Sequence, residues 1–175
     1  MKNQTALITG ASGGIGYEFA KLLARDYGRL VLVARSEGRL GKIKQELEAA
    51  HPVSVIPIAQ DLSEPGAAER IFRRLEDERI TVDILINNAG FGEHGAFVET
   101  DWQQEEKMIA VNITALTGMT KFFAKSMVAQ RNGRIVNVAS TAAFQPGPFL
   151  AVYYASKAYV LSFSEALSNE LKGTG

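Results

Sequence analysis

Thr9-Gly10-Ala11-Ser12-Gly13-Gly14-Ile15-Gly16 stands between an apolar run, Thr5-Ala6-Leu7-Ile8, and a segment with helical spacing of apolar residues. Glycines gathered between a strand and a helix permit a tight turn and a close approach of the main chain to a ligand. The first N–H groups of the helix lack main-chain partners and lie at the positive end of its dipole, so the turn suits a pyrophosphate. The spacing Gly10, Gly14, Gly16 is not the G-x-G-x-x-G form of the dinucleotide fingerprint. A glycine cluster alone is also what an ordinary turn contains. The strand before it and the helix after it are what point to a dinucleotide.

Working outward, short apolar runs alternate with amphipathic segments. The helix after the turn carries Ile15, Phe19, Leu22 and Leu23 at the spacing of one buried stripe, and Gly28 stands where it is expected to end. Leu30–Ala34 reads as a second strand, and Ser36 as the cap of a helix running to about Ala50. Val53–Ile58 is the third strand, with Pro57 arguing for an edge position. Ser63 or Glu64 is expected to open a helix with Pro65 in its first turn. Val82–Asn87 is the fourth strand, and Asp101 with Gln104 resembles a capping box before a long helix to about Gln130. Asn132-Gly133 closes that helix, Arg134–Val138 is the fifth strand, and Ala151–Leu171 the last helix. Strand and helix alternate throughout, which implies a doubly wound α/β fold in one domain, with parallel strands and helices on both faces.

The composition is that of a globular chain, 46% hydrophobic and 22% charged over 175 residues, enough for a substantial core. The formal net charge is zero, so nothing in the balance favours nucleic acid or an anionic membrane as partner. With no cysteine there is no disulfide, thiol nucleophile or thiolate metal site. The apolar run after Met1-Lys2-Asn3-Gln4 is too short for a signal peptide or a membrane span, and a cytoplasmic protein is expected. His51 and His94 are isolated from other ligand types, so no metal site is expected.

A second stretch carries chemistry. Tyr153 and Lys157 are spaced i, i+4 in the last helix and therefore share a face. A lysine cation beside a phenol favours the phenolate and lowers a pKa that is about 10 when unperturbed. A hydroxyl from Ser140 suits holding a carbonyl or alcohol oxygen near that phenol, and the three together suit proton transfer at a substrate oxygen. Tyr154 is the rival phenol, but Ala158 stands at its i+4 position and the ring would point about 100° away. It reads as packing or pocket wall. Asn112 interrupts a helical stripe of Met108, Val111, Ala115, Met119 and Phe122, and a buried amide needs partners. Phe91, Phe144, Phe149 and Gln145-Pro146-Gly147-Pro148 are candidates for an apolar pocket, and equally for loop packing.

These motifs together resemble the short-chain dehydrogenase/reductase family over essentially the whole chain. Thr9–Gly16 matches its TGxxxGxG cofactor motif, and Asn87-Asn88-Ala89-Gly90 its NNAG motif. Asn112, Ser140, Tyr153 and Lys157 match its catalytic tetrad in order and spacing. The resemblance implies hydride transfer between a nicotinamide cofactor and a small carbonyl or alcohol substrate. Tyr153 is then the general acid/base, Ser140 holds the oxygen, Lys157 lowers the Tyr153 pKa and contacts the nicotinamide ribose, and Asn112 supports a water in a proton relay. Gly10, Ser12, Gly14, Ile15, Gly16, Asp61, Asn88, Ala89 and Gly90 are implied on the cofactor, with Tyr153 and Lys157. Arg35 stands after the second strand, and Ala34 where relatives preferring NAD carry an acid. An acid there would bind the ribose 2′-OH, whereas a guanidinium pairs with a 2′-phosphate, so NADP(H) is the expected cofactor. The resemblance further implies a Rossmann-like sheet of strand order 3-2-1-4-5 in these residues, and a homodimer or homotetramer. It also implies a longer enzyme with two more strands and a segment closing the substrate pocket, of which these residues are a part. A silent NADP(H)-binding sensor or scaffold is the alternative function. An epimerase or dehydratase of the extended branch is disfavoured by TGxxxGxG and NNAG.

Overall fold

The computed structural model describes residues 3–175. Five parallel strands, β1 (Thr5–Thr9), β2 (Arg29–Ala34), β3 (Ser54–Ala59), β4 (Ile84–Asn87) and β5 (Arg134–Asn137), form one sheet in the order β3-β2-β1-β4-β5. Strand β1 lies at the centre, pairing Ala6 with Leu30 on one side and with Ile84 on the other. All five of its residues are buried, as are Leu30–Ala34. Parallel strands covered on both faces read as continuous apolar runs for this reason. The period of two then splits them. Ala6, Ile8, Leu30 and Leu32 join one core with Ala20, Leu40 and Leu47 from helices α1 (Gly14–Leu23) and α2 (Glu37–Ala50). Leu7, Val31, Val33 and Leu85 join the other with residues of α3 (Ala67–Asp77) and α5 (Leu116–Gln130), among them Ile71, Leu75, Met119 and Phe123. Each fully buried large side chain contributes roughly 1.5–3 kcal/mol. No helix among the described residues is long and apolar enough to cross a membrane.

Several local expectations hold. Ser36 caps α2 by accepting from the Arg39 N–H. Pro57 lies on β3, an edge strand, opposite Leu32. The last helix, α6, spans Ala151–Glu170.

Others are corrected. In α1 the buried residues are Gly16 and Ala20, with Phe19 and Leu23 partly buried, whereas Ile15 and Leu22 are 61% and 55% exposed. The helix runs too close to the sheet for large side chains along its seam. It ends at Leu23, and Gly28 instead belongs to the strand edge, its carbonyl accepting from Ser54 N–H. Helix α3 begins at Ala67, after Pro65, rather than at Ser63 or Glu64. The Asp61 carboxylate accepts from the Ser63 N–H and hydroxyl, and that local turn competes with helix formation. Asp101 caps α4 (Trp102–Ile109) through the Gln103 N–H, and Gln104 makes no box. The left-handed residue closing α5 is Arg131, while Gly133 is required because a Cβ there would run into the Met127 side chain.

Between α4 and α5 the helix widens into a π turn, Ala110–Ala115, with Asn112 inside it. Such turns are rare and concentrate at functional sites.

Candidate active site

The glycine-rich turn is held from below by a segment far away in sequence. Asn88 Nδ2 donates to the carbonyls of Thr9 at 3.0 Å and Gly10 at 3.3 Å. Thr9 Oγ1 accepts from the N–H groups of Asn88 and Ala89, both at 3.0 Å. Gly10 has φ 66, and a Cβ on it would lie 2.8 Å from Asn88 Nδ2 and 2.9 Å from Ala89 Cα. Only glycine fits there. Asn88 is thus a support for the turn. Asn87 turns the other way, donating to Thr120 Oγ1 and Asn137 Oδ1, and Asn137 donates on to Ser164 on α6. That chain ties β4, β5, α5 and α6 together.

Above the turn, at the carboxyl ends of the strands, lies a cleft of about 560 Å³. Gly10, Ser12, Arg35, Asp61, Ala89 and Gly90 of the sequence-derived set line it. Gly14 opens α1 in the left-handed region, Gly16 packs beneath, and Ile15 is exposed. Ala34, Gln60, Leu62, Ser63, Phe91, Gln104, Lys107 and Val111 complete the wall. Lys107 and Val111 are an i, i+4 pair, so one helix face delivers both. Nothing in the sequence marks which face of that helix meets the cleft, since the sheet decides it. Burial pushes the Asp61 pKa up, but the Ser63 N–H and hydroxyl, with the positive fields of Arg35 and Lys107, outweigh it and hold the carboxyl below its usual range.

Beyond Gly90, at one end of the cleft, lie the first turns of α6. Lys157 is buried there, its Nζ donating to the Val138 carbonyl at 2.8 Å and lying 5.9 Å from the centre of the Tyr153 ring. Burial lowers its pKa. A Cβ on Gly90 would meet Asn112 Oδ1 at 3.0 Å and Lys157 Nζ at 3.4 Å, so three segments converge where the cleft ends. The Asn112 amide pairs with the Phe91 main chain in both directions, donating to its carbonyl at 2.9 Å and accepting from its N–H at 3.2 Å. It also donates to Ser156 Oγ at 3.0 Å, and Ser156 donates to the Tyr153 carbonyl at 2.7 Å. The buried polar residue of the stripe therefore locks the β4 exit to α6. Ser140 accepts from the Ala142 N–H at 3.1 Å, capping a short 3₁₀ turn, Thr141–Phe144. Its own hydroxyl hydrogen stays available to a ligand oxygen.

Tyr154 points elsewhere. It lines a separate open hollow with Pro146 and Pro148, packed on Gly147. Phe144 and Phe149 are exposed, and the His94 ring stacks on Phe149. Among the described residues no group of three or more His, Asp or Glu side chains could hold a metal ion. Chemically the site offers a phenol, a buried lysine one turn away, and a glycine-floored cleft with a guanidinium on its wall; Ser140 stands two residues after Val138, whose carbonyl holds the lysine.

The family model for short chain dehydrogenases matches residues 4–175. A short chain dehydrogenase of Pseudocercospora fijiensis is 36% identical over 177 residues, covering 100% of this chain and 57% of that protein. The chain spans less than two thirds of the length of that and the next curated relatives. Among solved structures, the bulky-bulky ketone specific alcohol dehydrogenase from Comamonas testosteroni superposes with a TM-score of 0.93 at 36% identity, covering 100% of this chain and 70% of that one. A short-chain dehydrogenase from Sphingobium yanoikuyae in complex with NADPH gives a TM-score of 0.91 at 40% identity, covering 98% and 67%.

Proposed function

The chain belongs to the short-chain dehydrogenase family, and on that premise we propose that it is an oxidoreductase moving a hydride between NADP(H) and a carbonyl or alcohol. The observation that carries the reading is the buried Lys157, held by Val138 one turn from Tyr153 where the cleft ends at Gly90. The cleft suits a dinucleotide: its glycine floor admits no Cβ at Gly10, and its wall carries Arg35 with Ala34 in place of an acid. Ser12 and the start of α1 would hold the phosphates and Arg35 a 2′-phosphate, and Leu62 and Val111 offer apolar surface for the adenine. Asp61 lies at the same end. NADPH in the Sphingobium protein supports the same choice here.

When bound, the nicotinamide supplies the hydride or takes it up. In reduction, Tyr153 gives its phenolic proton to the substrate oxygen as the carbon becomes an alcohol. The Lys157 cation stabilises the phenolate that remains. Ser140 donates to the same oxygen and fixes its position. Asn112 keeps Phe91, the π turn and α6 in one frame, and through that frame supports the return of a proton to Tyr153. Oxidation runs these steps in reverse.

Tyr153→Phe removes the transferable proton and keeps most of the packing, so turnover should fall roughly 10²-fold or more with NADPH affinity little changed. Tyr154→Phe should keep near-normal turnover. The opposite pattern in steady-state NADPH oxidation would refute the assignment. NADPH binding without turnover on a broad ketone and aldehyde panel would favour a silent cofactor sensor instead.

A further inference from the structure

We propose that Phe149 and His94 form an aromatic ledge at the mouth of the site, which selects uncharged carbonyl compounds bearing a bulky apolar group. The inference rests on the oxidoreductase reading and names the substrate class for that same site.

Two segments flank Tyr153. One follows β4, and its Gly92 lies against the phenol ring, where a Cβ would stand 2.9 Å from Tyr153 Cδ2. The other precedes α6 and contains Phe149. The two are tied together: the Gly95 N–H donates to the Phe149 carbonyl at 2.9 Å, and the His94 and Phe149 rings stack with centroids 5.9 Å apart.

Phe149 has φ 65, the left-handed region. A bulky side chain is strained there and glycine is not. Burial does not offset that strain, since Phe149 is 59% exposed. The conformation instead sets its carbonyl on Gly95 and its ring on His94. A strained, exposed aromatic held by two contacts to the segment whose Gly92 lies against Tyr153 is poorly explained by core packing and well explained by ligand contact.

Charge narrows the ligand. Residues 138–155 contain no Asp, Glu, Lys or Arg, and residues 88–98 contain Glu93 alone. One Glu93 carboxylate oxygen is buried without a hydrogen-bond partner among the described residues. Lys157 is already engaged with Val138. A substrate carboxylate or phosphate would find no lysine or arginine on these two segments. An aryl or alicyclic group would cover the exposed ring of Phe149.

The test compares acetophenone with acetone, which lacks the ring, and with benzoylformate, which replaces the methyl group by a carboxylate. NADPH oxidation is followed with the wild type, Phe149→Gly, Phe149→Tyr and His94→Ala. Phe149→Gly removes the ring and relieves the backbone. The wild type should favour acetophenone over both comparators. Phe149→Gly should raise the acetophenone KM about tenfold or more, with kcat and the acetone parameters little changed. His94→Ala should act in the same direction, and Phe149→Tyr should restore the wild-type value. Saturation-transfer NMR of acetophenone in the presence of NADP⁺ gives a readout independent of turnover. Acetophenone that binds the wild type and not Phe149→Gly, with no carbonyl reduced, would uphold the ledge and refute the oxidoreductase reading. Turnover with an unchanged acetophenone KM in Phe149→Gly would overturn the ledge alone. So would a preference for benzoylformate, or a failure of acetophenone both to bind and to react.

Discussion

Gly16→Ala isolates the contact on which the cofactor turn depends. An ideal Cβ at residue 16 would overlap the Gly10 carbonyl and lie 2.6 Å from Asn88 Nδ2. Neither neighbour is the loose end of a flexible side chain. One is main chain, and the other already donates to Thr9 and Gly10. Relief therefore has to come from moving α1 off the sheet or breaking the Asn88 bonds. Overpacking of this kind costs about 1–3 kcal/mol. Each lost hydrogen bond adds about 1 kcal/mol. Alanine returns about 1 kcal/mol through its helix propensity. The net loss is about 2–4 kcal/mol, which lowers the melting temperature by roughly 4–16 °C for a domain of this size. The control is Gly13→Ala, where the nearest atom to a new Cβ is the tip of Arg39 at 3.9 Å, so a change within about 0.5 kcal/mol is expected. Thermal melts of the three proteins, with NADPH titrations followed by fluorescence, read both consequences. A Gly16→Ala protein that melts with the wild type, or a Gly13→Ala protein equally damaged, would refute the reasoning.

Arg35→Ala should weaken NADPH more than NADH, by roughly 1.5–3 kcal/mol for a lost charge-assisted contact, and an equal loss in titrations of the two would reject the 2′-phosphate assignment. Ser63→Ala removes the hydroxyl, one of the two Ser63 donors that depress the Asp61 pKa, and leaves the main-chain N–H in place. A depressed carboxyl contributes stability above its unfolded pKa and loses it as pH falls through the folded one, so the variant should lose about 0.5–1.5 kcal/mol above pH ~4 and converge with wild type in more acid melts. For Lys157 the unfolded chain binds the proton more tightly, so stability rises with pH between its lowered folded pKa and the ordinary 10.5. Lys157→Met should abolish turnover and flatten that alkaline slope; melts across the alkaline range with an unchanged slope would show that burial of the charge is not its source.

Much of the fold was legible because it is local or periodic. The apolar runs of β1 and β2, the Ser36 cap, Pro57 on an edge and the i, i+4 pairing of Tyr153 with Lys157 depend on neighbours a few residues away. The sheet order came with the family resemblance that the motifs of the cofactor turn and the last helix carry, and the structure has that order. What only the tertiary structure decided lies between elements. Ile15 and Leu22 have helical spacing, yet the seam of α1 belongs to Gly16 and Ala20, because the distance from helix to sheet is set by Asn88 and Gly10. Asn112 was visible as an odd polar residue in a stripe, but its pairing with Phe91 and the π turn around it required β4 to be in place. Lys107 and Gln104 line the same cleft as Gly10 and Gly90, a meeting of α4 with distant segments that spacing alone does not show. The left-handed Phe149 follows from its tie to Gly95, a residue distant in the chain. Periodicity records which residues share a face. It does not record what that face will meet, since sheet register and helix distance are settled by contacts between distant segments.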